Sequence, residues 1–536
     1  MYDILIKNGW IVDGTGKKKF QGDLAIKEDR IAKISDKIDE QAKMVIYADG
    51  KIVSPGFIDV HTHDDLVFDL DPWNEAKLRQ GVTTVITGNC GFGAAPATEM
   101  CREDLIAYNA PILGEQVETL LFDSFEEYLN HMEGLKKAMN VACLVPHGAI
   151  YASANGFSSQ TPGDEALEKE RTYVIEAMEA GALGVSLGLM YAPGCYSKSK
   201  ELEMLAAETG KRGGILTIHM KSESEHFEDS IAEAAELSKK CHVPIEISHL
   251  KHVGKAYWGH MSETLNWLEE LLSAGADLSF DMYPYTMGST TMSILFPTEY
   301  LQDGVGKLLE RLSDRKVRCD IAKRLKESWG EEDNLSLLSG WENVIISSVK
   351  NEKNTGVLGK SIAWLAMEKK KEVEEVFFDL FVEEEGEVSV LLNHINREDM
   401  EKTLMFPQVS VASDGLPGAK DPHPRLYGTF PHFLKEFVKE KALLTWEEAI
   451  RKITSQPAYR FGLRRRGVLQ EGYFADITIF DPEHIKDLAD YQNPQRYPEG
   501  IEYIFVNGQA AWTKGGLGEA GQGRLLKNFK CEGGSI

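Results

Sequence analysis

The chain has 536 residues, 43% of them hydrophobic and 27% charged. That is enough apolar content for a sizeable core, and more length than one compact domain usually needs. With 59 Lys and Arg against 84 Asp and Glu, the net charge is −25, which argues against nucleic acid or an anionic membrane surface as the main partner, since both need a basic face. Seven cysteines, unevenly spaced and without a Cys-x-x-Cys pair, do not form a disulfide framework. The first residues lack the basic and apolar regions of a signal peptide, and no stretch approaches a membrane span. A reducing cytoplasm is expected, and nothing in the composition fixes an oligomeric state.

Residues 1 to about 55 read as β. Segments 3–7 and 11–13 flank Asn8-Gly9, a turn signal, and further turns are expected at Asp13-Gly14 and Asp49-Gly50. Segments 24–27, 31–34 and 44–47 are further short strands. From residue 58 short apolar runs alternate with helical stretches. The runs are 82–87, 142–145, 184–187, 215–219, 244–249, 277–283 and 409–413. The helices are expected at 164–180, 199–212, 223–240 and 261–274. About eight such units predict an α/β fold, a closed (β/α)8 barrel. Residues 285–343, richer in charge and in helix formers over 308–329, interrupt the alternation as an insertion and a candidate lid. From 466 the chain returns to β at 467–469, 475–480 and 501–506. Both termini therefore build one small β-domain, which divides the chain into 1–56, 57–465 and 466–536. The Gly-rich tail 515–536 is expected to be poorly ordered.

In a barrel, reactive groups sit at the C-terminal ends of strands. Here Gly56-Phe57-Ile58-Asp59-Val60-His61-Thr62-His63 ends in two histidines that alternate positions place on one side. Strand 82–87 leads into Gly88-Asn89-Cys90-Gly91. Two more runs end in His219 and His249, and 409–413 ends in Asp414. Each residue alone is more often structural. Five strand ends with thiol, imidazole or carboxylate suit a metal such as zinc, which lowers the pKa of its water to roughly 7. A neighbouring carboxylate can move the proton.

With these motifs the chain resembles the amidohydrolase superfamily, and within it the D-aminoacylase (N-acyl-D-amino-acid deacylase) family. The resemblance also rests on Gly188-Leu189-Met190-Tyr191-Ala192-Pro193-Gly194, His219-Met220, Ser248-His249-Leu250-Lys251, Asp281-Met282-Tyr283-Pro284-Tyr285, Ala412-Ser413-Asp414-Gly415 and His423-Pro424-Arg425-Leu426-Tyr427-Gly428-Thr429-Phe430-Pro431. It implies a barrel with a β-sandwich built from both termini. It implies a main zinc held by Cys90, His219 and His249, and a second, weaker metal position at His61 and His63. Asp414 would be the general acid/base and touch the metal. Cys90 would take the place that a carboxylated lysine fills in hydantoinases. The small-molecule substrate would be held at its α-carboxylate by Lys251, Tyr283 and Arg425, with Tyr191 and Ser289 as further contacts.

Lys221 and His432 stand where family members often carry arginine. Members that prefer acidic side chains have an arginine soon after the Tyr-Pro-Tyr strand, whereas residues 288–296 here hold no cation. Neutral or hydrophobic D-residues are therefore the expected substrates. The alternatives are a cyclic-amide hydrolase of the hydantoinase or dihydroorotase type, which Cys90 disfavours, and a non-catalytic scaffold protein, which would have lost metal ligands that are all present here. His147 also follows a strand, but with the metal positions already filled it is read as a non-ligand. Cys101, Cys143, Cys195, Cys241 and Cys531 read as ordinary thiols. Arg464-Arg465-Arg466 reads as surface.

Overall fold

Strands apolar on both faces cannot lie at a surface, so they pair in parallel with helices covering them. The computed structural model, which describes residues 1–528, is a mixed α/β structure built on this principle. Phe57–Asp59, Val82–Thr87 and Asn140–Cys143 pair in parallel. One residue further on, Val145–Pro146 pairs with Gly184–Gly188. Ile215–His219, Ile245–Ile247, Leu278–Met282 and Val409–Val411 follow in that order, each parallel to the one before. The order then returns to its start. The amide of Asp414 donates to His61 O at 2.7 Å, and that of His63 to Gly415 O at 3.2 Å. Helices Asp164–Ala180, Ser199–Lys211, Phe227–Cys241 and Met261–Ser273 lie between successive strands.

Below this closure, Asp59, Lys77 and Ser413 are fully buried. Lys77 Nζ donates to Asp59 Oδ2 at 2.7 Å, the amide of Ser413 donates to Asp59 Oδ1 at 2.9 Å, and Ser413 Oγ donates to Asp59 Oδ2 at 2.6 Å. A buried ion pair is tolerated when its remaining lone pairs and protons are bonded in this way. The network fastens the first strand to the last, immediately before Asp414.

A nine-stranded sheet draws on both termini. Ile52–Pro55 runs antiparallel to Ile477–Phe480, so the N-terminal strands and the strands Ile501–Val506 and Gln509–Thr513 share hydrogen bonds. Ile6, Leu24, Ile26, Ile477, Ile479 and Phe505 form a separate apolar cluster beneath it. Between Leu278–Met282 and Val409–Val411 lies an antiparallel sheet in which Val388–Asn393 pairs with both Met287–Thr291 and Val344–Val349.

Several local expectations are corrected. Asn8-Gly9 is not a hairpin turn: Tyr2–Ile11 is one strand, bulged between Ile6 and Gly9, with Asn8 at φ 61°. Its partner Phe20–Lys27 continues on both sides of the bulge, so the left-handed residue is absorbed as a bulge. The stretch rich in helix formers over 308–329 falls mostly in two helices, Gly304–Arg311 and Arg315–Arg324, the second capped by Asp314. Residues 467–469 form no strand. Arg466 is buried, bonded to Asp476 and to Asn507 Oδ1 at 2.9 Å, although Arg464 and Arg465 are exposed. Cys90, Cys101 and Cys143 are buried free thiols. Cys531 lies outside the described residues.

Of the tail 515–536, residues 515–528 are described and are fixed to the fold, and 529–536 lie outside the described residues. Leu525–Leu526 pairs in parallel with Asn140–Cys143, and the amide of Val141 donates to Arg524 O at 2.9 Å. Asn507 Nδ2 donates to Gln522 O at 2.7 Å, a bond between buried groups that a low-apolar composition does not announce. Gly523 lies against backbone: a Cβ there would sit 2.0 Å from Met139 O. Gly523→Val is therefore expected to destabilise the protein by about 1–3 kcal/mol through overpacking, read as a lower urea midpoint. A loosely attached tail would leave the midpoint unchanged.

Candidate metal centre

Each reactive side chain stands at the C-terminal end of a parallel strand or just beyond it, where the backbone leaves regular geometry. Cys90, His249 and Asp414 all have left-handed φ, at 53°, 37° and 48°. For non-glycine residues such backbone costs roughly 1–3 kcal/mol and persists where surrounding structure imposes it. Gly88, at φ 82°, permits the turn into Cys90; a Cβ there would lie 2.1 Å from Leu144 O.

The side chains converge. Cys90 Sγ lies 3.2 Å from His61 Nε2 and 3.8 Å from His249 Nε2. His249 Nε2 lies 2.9 Å from His219 Nδ1. Asp414 Oδ1 is 3.4 Å from Nε2 of both His61 and His63. Three buried groupings, each with ligand atoms within 4.8 Å of one another, could hold an ion. They are Cys90 with His219 and His249, Cys90 with His61 and His63, and Asp414 with His61 and His249. The first two share the thiol. One sulfur and several imidazoles are a donor set that suits zinc, and a divalent cation would deprotonate the coordinating thiol. The residues present therefore fit the ion that the sequence motifs imply.

Groups that sequence reasoning missed aim these donors. Asp281 Oδ2 lies 3.1 Å from His61 Nδ1, and Asp281 Oδ1 accepts the amide of His249 at 2.8 Å. Glu223 Oε1 lies 2.9 Å from His249 Nδ1. A carboxylate that accepts Nδ1–H fixes the tautomer and turns the Nε2 lone pair toward the cluster. Residues 223–226 stay outside the helix that begins at Phe227, which leaves Glu223 free to face the site.

Electrostatics follow from burial and neighbours. Burial pulls the His219 and His249 imidazoles well below the ordinary histidine value, helped at His249 by the charge of Lys251. Both are thereby held in the neutral form that can bind a cation. Burial pushes the Cys90 thiol up. In His61, burial is outweighed by the charges of Cys90, Asp281 and Asp414, which hold it well above its usual value. In Asp414, burial is outweighed by Arg425 and then His61, which hold the carboxyl well below the usual range.

The centre opens into a cavity of about 500 Å³. Lys251, Tyr283, Tyr191 and Ser289 line it with His63, Cys90, His219, His249 and Asp414. Lys251 Nζ donates to Glu223 Oε1 at 2.5 Å. Arg425 is fully buried and does not line the cavity. Its Nη2 lies 3.0 Å from Asp414 Oδ2 and donates to Ser289 O at 3.2 Å, and its guanidinium stacks 4.5 Å from the Tyr283 ring. Tyr191 Oη bonds Thr290 Oγ1 at 3.0 Å. The remaining wall is largely apolar, with Phe92, Ile112, Ile294, Leu335, Leu392 and Leu416. His394 also lines it, and was missed although it follows the apolar run 388–392 as His219 and His249 follow theirs.

The amidohydrolase family model matches residues 44–324 and 407–511. D-aminoacylase of Alcaligenes xylosoxydans xylosoxydans is 32% identical over 530 residues, covering 98% of this chain and 97% of the relative. The solved N-acyl-D-glutamate deacylase of Bordetella bronchiseptica, complexed with zinc and a phosphonate mimic of the tetrahedral intermediate, superposes with a TM-score of 0.84. It is 29% identical and covers 98% of this chain and 100% of its own. A solved D-aminoacylase with a binuclear metal centre, activated by one metal and attenuated by the second, gives a TM-score of 0.83, with the same identity and coverage. A match of this extent, over a chain whose strand ends carry these metal donors, places the protein in the amidohydrolase family, within its D-aminoacylase branch, as a metal-dependent hydrolase.

Proposed function

We propose that the protein hydrolyses N-acyl-D-amino acids to a carboxylate and a free D-amino acid, favouring neutral or hydrophobic side chains. The observation that carries this reading is Asp414, held ionised beside Cys90, His61, His63 and His249 at the floor of an apolar-walled cavity. The ring of parallel strands is read as the (β/α)8 barrel of residues 57–465, and the nine-stranded sheet as the β-sandwich of 1–56 and 466–536. Segment 285–343 serves as a lid, which contributes Gly288, Ser289, Thr290, Ile294 and Leu335 to the cavity wall. Among the described residues no helix is long and apolar enough to cross a membrane, in keeping with a cytoplasmic enzyme for a small-molecule substrate.

Cys90, His219 and His249 would hold the main zinc, and His61 and His63, sharing Cys90, a weaker second ion. Zinc, held there, would supply a water with its pKa lowered to about 7 and would polarise the acyl carbonyl. Asp414 accepts the proton of the attacking water and delivers it to the amide nitrogen as the C–N bond breaks. Arg425 keeps that carboxylate ionised between turnovers and fixes its direction. The α-carboxylate is met by Lys251 and Tyr283 at the cavity wall, and Arg425, buried behind that wall with Nε and Nη1 unpartnered, reaches it by a side-chain movement on binding. Tyr191 and Ser289 complete the contacts, and these groups around one carboxylate set the chirality accepted.

Asp414→Asn is expected to leave zinc content unchanged and to lower kcat by about 10²–10⁴; near-normal turnover would remove the acid/base assignment. Asp281→Ala is expected to weaken zinc affinity at the second position about 10–100-fold, measured by competition with a chelator, because His61 loses its orienting acceptor. Among the described residues that line the cavity there is no arginine. N-acetyl-D-methionine should therefore be turned over faster than N-acetyl-D-glutamate, and the L-forms hardly at all. Faster hydrolysis of the glutamate would overturn the side-chain preference while leaving the deacylase reading intact.

A further inference from the structure

His147, a strand-following histidine that the catalytic centre does not use, meets two carboxylates behind the cavity wall. It begins helix His147–Asn155, Glu170 lies in Asp164–Ala180, and Glu201 opens Ser199–Lys211. All three are buried, at 0%, 0% and 2% exposure. His147 Nε2 lies 2.9 Å from Glu201 Oε1, which also accepts Ser197 Oγ at 2.7 Å. Both carboxylate oxygens of Glu170, Glu201 Oε2 and His147 Nδ1 have no hydrogen-bond partner. Among the described residues neither glutamate has a lysine or arginine ion-pair partner. Even with a proton on His147, two carboxylates leave a net negative charge buried among helices, a costly arrangement.

We propose that His147, Glu170 and Glu201 form a further site for a divalent transition ion of the zinc class, distinct from the centre at the strand ends. Their ligand atoms lie within 4.8 Å of one another, a triangle that metal–ligand bonds of about 2.0–2.2 Å close with small side-chain rotations. One neutral imidazole and two carboxylates balance the ion's two charges. An orphaned carboxylate turned into such a cluster is the group that an ion would satisfy. Burial and then the neighbouring Glu201 raise the Glu170 carboxyl to about 9.

The site would join three helices and brace the turn at Gly194, where a Cβ would lie 3.8 Å from His147 Nδ1. That turn follows Tyr191, which lines the cavity. Its role is thus structural support of one wall, not chemistry on the substrate.

The test uses zinc alone. Cys90→Ala with His249→Ala removes the main strand-end ligands. In that background, dialysed protein is expected to retain about one further zinc per chain, and added Glu170→Gln is expected to abolish it. Glutamine reproduces the shape of the protonated acid, so an unchanged zinc content after Glu170→Gln overturns the proposal. If the ligand-deleted background does not fold, crystals of the native enzyme grown with zinc decide the matter by anomalous diffraction at the zinc edge. A peak between the three side chains supports the site, and a map with peaks only at the strand ends overturns it.

Discussion

A thiol, four imidazoles and a carboxylate packed out of water at one end of a set of parallel strands would repel, collapse or bind at random unless each were separately aimed. That aiming is the constraint on which the rest of the structure depends. Asp281 holds both His61 and the backbone of His249; Glu223 holds His249 and Lys251; Arg425 holds Asp414. Each of these charges at the centre is thereby matched to another, and each imidazole that binds a carboxylate through one nitrogen presents the other to the cluster. Hydrophobic burial supplies the stability of the strands, but these pairings decide where the reactive atoms point.

The backbone carries the same constraint. Cys90, His249 and Asp414 adopt left-handed conformations that ordinary side chains avoid. They are held there by what lies beneath: the fully buried Asp59–Lys77–Ser413 network under Asp414, the Asp281 carboxylate under the amide of His249, and the Gly88 turn before Cys90. Within the centre the strain falls on the reactive positions Cys90, His249 and Asp414, while the strands that deliver them are buried. A rigid frame of this kind lowers the reorganisation needed when charge develops in the reaction.

The ends of apolar runs were legible because period and position are local properties: His61, His63, His219 and His249 all follow strands found near their expected bounds. Motifs spanning the whole chain carried the family. What was not legible depended on partners distant in sequence. Asn8-Gly9 has the composition of a turn, and only the strand pairing across it makes it a bulge. Arg466 looks like its exposed neighbours until Asp476 and Asn507 fold over it. Glu223 and Asp281 carry no local mark of their function, since what they do is set by which nitrogen of a histidine faces them. The tail 515–528 is low in apolar residues, yet it is fixed by backbone pairing with Asn140–Cys143, which composition does not encode.

The two buried polar clusters differ in a way that bears on function. At the strand ends the acidic groups have cationic or imidazole counterparts: Asp414 has Arg425, and Glu223 has Lys251. Such a centre keeps its shape before and after an ion or substrate arrives, as turnover requires. Between the helices, Glu170 has no such counterpart and Glu201 has His147 alone. A group left in that state must take up either a proton or a metal ion, and either choice changes how firmly the three helices hold together. The first arrangement suits repeated chemistry. The second suits a brace that is set once, and it stands behind the segment that brings Tyr191 to the cavity.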